Sequence, residues 1–249
     1  AQFFVTLAHD FAHKTVPFIA TCRIFQRRLC LGRIFLVDFA DLTREAHMAF
    51  RGSDVFACTT AGEISTNGYD EGMILGIGFP ANDFASRSIL FHDVDKLRPQ
   101  DVVDRITLER MMLQNDCREL TYPFAFLAVD GLSLSEDTLA VSLAPALMDM
   151  PLFGGSAGDG TDFRNTLVSL NGEVAQNAAV LNLMLSRYRS KVFSLDHLEP
   201  TDRKMVVTDA DPAKPIVKTI NAEPAAREYA RLLGKDPEQL DRFIFAALT

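Results

Sequence analysis

The sequence predicts a mixed α/β fold made of two related β-α-β halves. In each half a glycine turn is followed by antiparallel strands, and the halves pack as one large domain. Strand-like apolar segments alternate with helical segments along the chain. Two stretches, 34–64 and 125–161, resemble each other. With 249 residues, 48% of them hydrophobic, the chain has enough apolar side chains for an extensive core.

The first half covers approximately residues 34–95 and has the order strand, helix, strand, turn and strand pair. Polar residues and glycines separate the apolar runs, as is typical of connections between strands. We expect the two β-segments after the turn to be mostly antiparallel. The segments are a strand at 33–39, a helix at 42–50, a strand at 54–58, and β-segments at 73–79 and 86–91.

A helix at 99–118 separates the halves, with apolar residues at helical spacing and Pro99 suited to its first turn. The second half covers approximately residues 124–190 and repeats the same order. Its Asn171-Gly172 pair predicts a hairpin turn between the last two strands. The segments are a strand at 124–133, a helix at 134–149 interrupted near Pro145, and strands at 150–155, 163–170 and 178–185.

The internal repeat aligns Asp38 with Asp130 and Gly62 with Gly158. The matching stretches are IFLVDFADL with AFLAVDGLS, and VFACTTAGEI with LFGGSAGDGT. We expect the halves to pack face to face and to bring the two glycine turns toward a shared cleft. Chance similarity is the alternative explanation of the repeat.

Composition narrows the range of partners and compartments. A net charge of −8 and a pI near 5.1 disfavour nucleic acid and anionic membranes as partners. No paired-cysteine framework and no apolar run of about 18 residues is present, which predicts a soluble, cytoplasmic protein. No histidine or cysteine spacing suggests a metal site.

Ser156 lies in a G-x-S-x-G pattern, which is typical of a nucleophile elbow. An elbow needs a helix directly after the turn, whereas this sequence predicts a strand there. Ser156 is therefore interpreted as a hydrogen-bonding group of the backbone or of a ligand. The alternative is a serine hydrolase, in which Asp159 or Asp162 and His197 would complete a triad with Ser156.

Four stretches, FACTTAGEIS, GYDEGMILGIGF, PLFGGSAGDG and NAAVLNL, resemble the N-terminal part of FIST-domain proteins, which are sensory proteins of signal transduction. The resemblance implies a FIST N-terminal-like sensory domain over 34–215. Residues 216–249 resemble the beginning of the family's C-terminal domain, of which only the start is present. Residues 1–33 match no pattern and are left unplaced.

The resemblance implies ligand sensing rather than catalysis, so no catalytic residue is assigned. Family members are proposed to bind small molecules such as amino acids and to pass the signal to partner proteins. Members of the nitric-oxide-sensing NosP type bind haem and act on histidine kinases or cyclic-dinucleotide enzymes. The resemblance thus implies a ligand that is either haem with nitric oxide or amino-acid-like, with such an enzyme as the partner.

The two glycine turns carry the candidate ligand-binding residues. Their hydroxyls and unobstructed N–H groups suit a carboxylate or a phosphate-sized anion, although tight strand packing also needs small residues. Glu63 and Asp159 are matching acids that would pair with a ligand amine or cap their turns in solvent. The candidates are Thr59, Thr60, Gly62, Glu63, Gly154, Gly155, Ser156, Gly158 and Asp159.

A bound haem would need an axial ligand on an accessible apolar wall. His197 is the first candidate, because it lies in a loop between two apolar strands and Pro200 stiffens that loop. Cys58 is a weaker candidate, since a cysteine after a strand is usually part of the core. His92 follows a strand beside Asp93, and its alternative interpretation is a surface turn.

Overall fold

The computed structural model describes residues 38–65, 68–70, 74–160, 163–193, 202, 204–211, 216–236 and 238. They belong to two compact units, 1–194 and 195–249. Residues 1–33, the start of the strand predicted at 33–39, and His197 lie outside the described residues. The predicted domain boundary at 215–216 stays a prediction.

The first unit is a mixed α/β fold, as the sequence predicts. Its helices are α1 (Phe39–Ala49), α2 (Pro99–Asp116) and α3 (Glu136–Leu147). Its strands are β1 (Phe56–Cys58), β2 (Glu63–Ser65), β3 (Gly68–Asp70), β4 (Phe84–Phe91), β5 (Tyr122–Asp130), β6 (Leu152–Ala157), β7 (Val168–Leu170), β8 (Glu173–Ala175) and β9 (Ala179–Ser186).

Local sequence signals account for several of these elements. Asp38 caps α1, since its carboxylate accepts from the N–H groups of Ala40 at 2.8 Å and Asp41 at 3.1 Å. Pro99 begins α2, as expected. Asn171 and Gly172 both have positive φ, which confirms the predicted turn. The predicted strand partner is wrong, because the turn joins β7 to the short strand β8 and the predicted 178–185 strand, β9, pairs instead with β4 and β5.

A four-stranded sheet in the order β4-β9-β5-β6 forms the centre of the unit. β9 is antiparallel to both of its neighbours, and β5 is parallel to β6. Helices α2 and α3 cover one face and form the larger apolar core with the sheet. All eight residues of β9 are buried, because both faces of this strand are covered.

A small antiparallel sheet, β1-β7-β8, packs on the other face of the four-stranded sheet. Val168 of this small sheet shares a second apolar cluster with Leu90 and Val180. The Phe56 and Phe126 rings lie 5.3 Å apart across this layer. The unit therefore has a helical layer, a central sheet and a small sheet.

The two predicted halves are interleaved rather than packed as separate bodies. β1, from the first half, pairs with β7 from the second half, while β4 pairs with β9. Residues 74–79 are not in a strand, so that part of the predicted 73–79 segment is wrong. The short hairpin β2–β3 lies instead within the predicted turn. The interruption expected near Pro145 is wrong, since helix α3 continues to Leu147: the proline leaves out only its own N–H, and the Met148 N–H still donates to the Ala144 carbonyl.

The second unit consists of β10 (Val207–Asp211), β11 (Ile216–Ile220), β12 (Glu223–Pro224) and helix α4 (Ala225–Leu233). Its strands form an antiparallel sheet in chain order. Within the described part of both units, no helix is long and apolar enough to cross a membrane.

Candidate functional site

The two glycine turns contact each other directly, as the repeat predicts. The Gly158 N–H donates to the Thr59 carbonyl oxygen at 3.0 Å. A Cβ on Gly158 would lie 3.1 Å from the backbone nitrogen of Ala61, so any side chain there would crowd the contact. This turn contact joins the end of β1 to the end of β6, and thereby the small sheet to the central sheet.

Hydrogen bonds within the protein hold the first turn. The Thr59 N–H donates to the Leu167 carbonyl, and the Leu167 N–H donates to Thr59 Oγ1, both at 3.0 Å. The Thr60 hydroxyl donates to the Glu63 carboxylate. Gly62 is buried. The Thr59 hydroxyl is therefore engaged by backbone, while Thr60 is the more accessible hydroxyl of the turn.

Gly154 and Gly155 differ sharply in their surroundings. Gly154 has a φ of +150°, and a Cβ there would overlap the carbonyl group of Leu127 on β5. A Cβ on Gly155 would meet no atom of the described residues within 4 Å. Gly154 is therefore required by the backbone, whereas Gly155 borders open space.

Ser156 does not form a nucleophile elbow, in agreement with the strand that the sequence predicts after the turn. It lies within β6, which leads through a loop to β7 rather than into a helix. Its hydroxyl is exposed and donates to the Glu136 carboxylate at 2.9 Å. Of the residues described around it, none places an imidazole in hydrogen-bond contact with Ser156, and both Asp162 and His197 lie outside those residues.

Asp159 closes its own loop. Its carboxylate accepts from the N–H groups of Phe163 at 2.9 Å, Arg164 at 2.6 Å and Asn165 at 2.8 Å. These bonds, above all those from Asn165 and Arg164, hold the pKa of Asp159 below its usual value. Asp159 therefore has the geometry of a turn cap and keeps its charge at neutral pH.

Asp130 holds three loops near the turns together by hydrogen bonds, a role that was not predicted from the sequence. It is only 4% exposed and accepts from the Leu132 N–H at 2.9 Å, the Asn177 N–H and the Thr166 hydroxyl. The only sequence feature that singled out Asp130 was its alignment with Asp38 in the internal repeat. Both acids bind backbone N–H groups, but only Asp130, the last residue of β5, joins three separate loops.

The described haem-ligand candidates are poorly suited to axial ligation. Cys58 packs against the apolar cluster between the two sheets, and burial raises the pKa of its thiol. Its neutral thiol is a weak metal ligand. His92 Nε2 lies 3.1 Å from Glu173 Oε1, and both side chains are exposed. The haem expectation therefore depends on His197.

A surface cavity of about 310 Å³ lies at the other end of β5 from the turn contact. Leu120, Pro123 and Leu185 line its apolar side. None of the predicted ligand-binding residues lines it. It is therefore separate from the candidate site.

Comparison with known protein families identifies the family of this chain. A family model described as the FIST N domain matches residues 29–223, well over half of the chain. The chain therefore belongs to the FIST family, whose domains are sensory, and has a signal-sensing role. Comparisons with curated proteins and with solved structures gave no match.

Proposed function

We propose that this chain is a small-ligand sensor whose ligand binds over Gly155, beside the contact between the two glycine turns. The observation that carries this proposal is the combination of the Gly158–Thr59 hydrogen bond with the open space over Gly155. A ligand at that position lies next to the point where the two sheets are joined.

The site has the chemistry of a polar, small-ligand site. Strand β6 is at the end of the order β4-β9-β5-β6, and no described strand pairs with its outer edge, whose peptide groups we take as available to the ligand. The Thr60 and Ser156 hydroxyls flank the turn contact, each bonded to a carboxylate. Peptide N–H groups suit the carboxylate of an amino-acid-like ligand, and the two hydroxyl–carboxylate pairs offer acceptor oxygens to its amine.

A ligand at this position has a direct physical route to the rest of the domain. The Gly158–Thr59 bond is a link between the small sheet and the central sheet. A ligand that binds one arrangement of the sheets better than another shifts their populations, and a coupling of about 1–3 kcal/mol is typical of such switches. The partner would be a histidine kinase or a cyclic-dinucleotide enzyme that senses the shift.

The test uses Gly155, because substitution there leaves the local packing unchanged. The wild type would be screened by thermal shift against free amino acids, small carboxylates and phosphates. Gly155→Ala and Gly155→Val fill the open space in two steps, so affinity for any ligand found should fall in that order while the folded spectrum stays the same. Affinity unchanged in Gly155→Val would place the ligand elsewhere, and no response to any compound would contradict the proposal.

Haem is the second ligand class, and it rests on His197. Hemin titration of the wild type and of His197→Ala, followed by the visible spectrum with and without nitric oxide, tests it. A saturable Soret shift that the variant loses would support a haem-based sensor. An equal shift in both proteins would exclude His197 as the ligand.

A further inference from the structure

Two buried polar atoms without partners lie side by side on the central sheet. Asn182 is only 3% exposed, and its Oδ1 has no hydrogen-bond partner among the described residues. The same is true of the Ser88 Oγ. Ser88 and Asn182 are directly paired across β4 and β9, so their side chains point to the same face.

Aromatic side chains continue the row that these two residues begin. Phe126 pairs with Asn182 on β5, and Phe153 pairs with Phe126 on β6. The Phe126 and Phe153 rings lie 5.2 Å apart, and Phe56 of the small sheet lies 5.3 Å from Phe126. All three rings are only partly buried. The row Ser88–Asn182–Phe126–Phe153 therefore has a polar end and an aromatic end between the two sheets.

The neighbouring row gives this aromatic end space. Ala128 and Gly155 pair with each other one step along β5 and β6, on the same face as Phe126 and Phe153. Alanine has only a methyl group and glycine has no side chain, and the space above Gly155 is open among the described residues. The candidate ligand site at Gly155 is thus continuous with the aromatic rings of the row.

A buried acceptor without a hydrogen-bond partner, such as Asn182 Oδ1, lowers the stability of the folded domain. Burial removes water from the amide oxygen, and nothing described replaces the lost hydrogen bonds. Leucine has nearly the same shape and would suit the apolar surroundings. The asparagine therefore leaves an acceptor open to a donor that the described residues do not supply.

We propose that the row Ser88–Asn182–Phe126–Phe153 binds the aromatic portion of the ligand, which is itself uncharged and carries an N–H or O–H donor, while the polar groups of the ligand lie over Gly155; this rests on the proposed sensor function and names the chemistry of that portion. The donor bonds to Asn182 Oδ1 with Ser88 Oγ beside it, and the ring packs against Phe126 and Phe153. A charged group is disfavoured at the Asn182 end of the row, since burying one without a counter-ion is costly. An anion is disfavoured further by the Asp54 carboxylate, which accepts from the Ser88 N–H at 3.1 Å.

The experiment compares probes of similar size and different hydrogen-bonding capacity. Binding of indole, phenol, toluene and pyridine to the full chain would be measured by ligand-observed NMR. Indole and phenol have a donor, toluene has none, and pyridine only accepts. We expect indole and phenol to bind at least about tenfold more tightly than toluene and pyridine, because a polar site left unpaired rejects the analogue.

Asn182→Leu should abolish this discrimination and bind toluene as well as indole. Without ligand, the same substitution should raise Tm by about 2 °C or more, because an unpaired buried acceptor is removed. If Asn182→Leu does not fold, Ser88→Ala serves as the second variant, with an expected loss of several-fold in indole affinity. Glu45→Gln, on the exposed surface of α1, is the control that should change neither quantity.

Three results would overturn the proposal. They are no binding by any of the four probes, unchanged discrimination in Asn182→Leu, and a lower Tm for that variant, which would show that Asn182 has a partner inside the protein. Failure of the sensor function itself would look different, because Gly155→Val would then change the affinity of no compound of any class. If a polar ligand loses its binding in Gly155→Val but keeps it in Asn182→Leu, the sensor function is supported and the proposal for the aromatic row is contradicted.

Discussion

Gly154 and Gly155 are neighbours in sequence with opposite structural requirements. Gly154 combines a positive φ with the close approach of Leu127, so a side chain meets strain and overlap together. Gly154→Ala should therefore lower the free energy of unfolding by about 3 kcal/mol. Gly155→Ala is the matched control and should change it by less than about 0.5 kcal/mol. Urea unfolding measures both, and equal values would contradict the assigned backbone geometry.

Asp130 is a second residue whose role follows from its contacts. Asp130→Asn replaces one acceptor oxygen by an NH₂ group, which faces donors from Asn177, Leu132 or Thr166. We expect a loss of about 1–3 kcal/mol in unfolding free energy, because a buried hydrogen bond to a charged group is lost. Asp149→Asn, at an exposed position, is the control. A loss no greater than the control's in the urea experiment would show that the three loops hold together without Asp130.

Ser156 distinguishes the sensor from the hydrolase. Its hydroxyl donates to Glu136 rather than to an imidazole, so no strong general base lies beside it in the described part of the chain. We expect no labelling of the wild type by a fluorophosphonate probe at high concentration. Labelling that Ser156→Ala abolishes would restore the hydrolase alternative.

Residue types and spacing predicted the glycine turns but not the roles of Asn182 and Asp130. The turns were visible because small residues recur at equivalent places in two halves. Asn182 appears in the sequence only as one polar residue in an apolar strand. That no described residue bonds to its Oδ1 depends on which side chains β4 and β5 bring opposite to it, and no local pattern contains that information.

At the scale of elements, the helices followed from sequence better than the strand partners. Helix α2 was predicted within two residues of its observed end, because its apolar spacing and Pro99 are local signals. The pairing of β1 with β7 joins residues more than a hundred positions apart. The 74–79 segment was predicted as a strand from its apolar residues, but Ile74, Leu75 and Ile77 are exposed there.

Helix α4 provides a pH prediction. Hydrogen bonds from Arg231, then from Asn221, lower the pKa of Glu228 from 4.5 to about 2. A lowered pKa means that the stabilisation is complete above about pH 4.5 and is lost as the pH falls toward 2. Glu228→Gln should remove this part of the acid dependence. Amide hydrogen exchange of α4 between pH 6 and pH 2.5 measures it, and parallel profiles for both proteins would contradict the prediction.

At the scale of the whole molecule, both apolar clusters lie within residues 1–194. A chain ending at Ser194 should therefore keep a cooperative thermal transition and its ligand affinity. A chain ending at Pro215 keeps β10 without its partner β11 and should aggregate more readily, because the strand edge is exposed. Circular dichroism and size-exclusion chromatography compare the two. A well-behaved chain to Pro215 and an unfolded chain to Ser194 would favour the boundary predicted from the sequence.

The long separation between paired strands also has a consequence for biosynthesis. Thr59 leaves the ribosome more than a hundred residues before Leu167, the residue that holds it in place. Contacts so distant in sequence form late and slowly in folding. A nascent chain therefore has no turn contact until the second half has been translated. Truncated translation products would lack the site altogether, so only completed sensor domains would answer the signal.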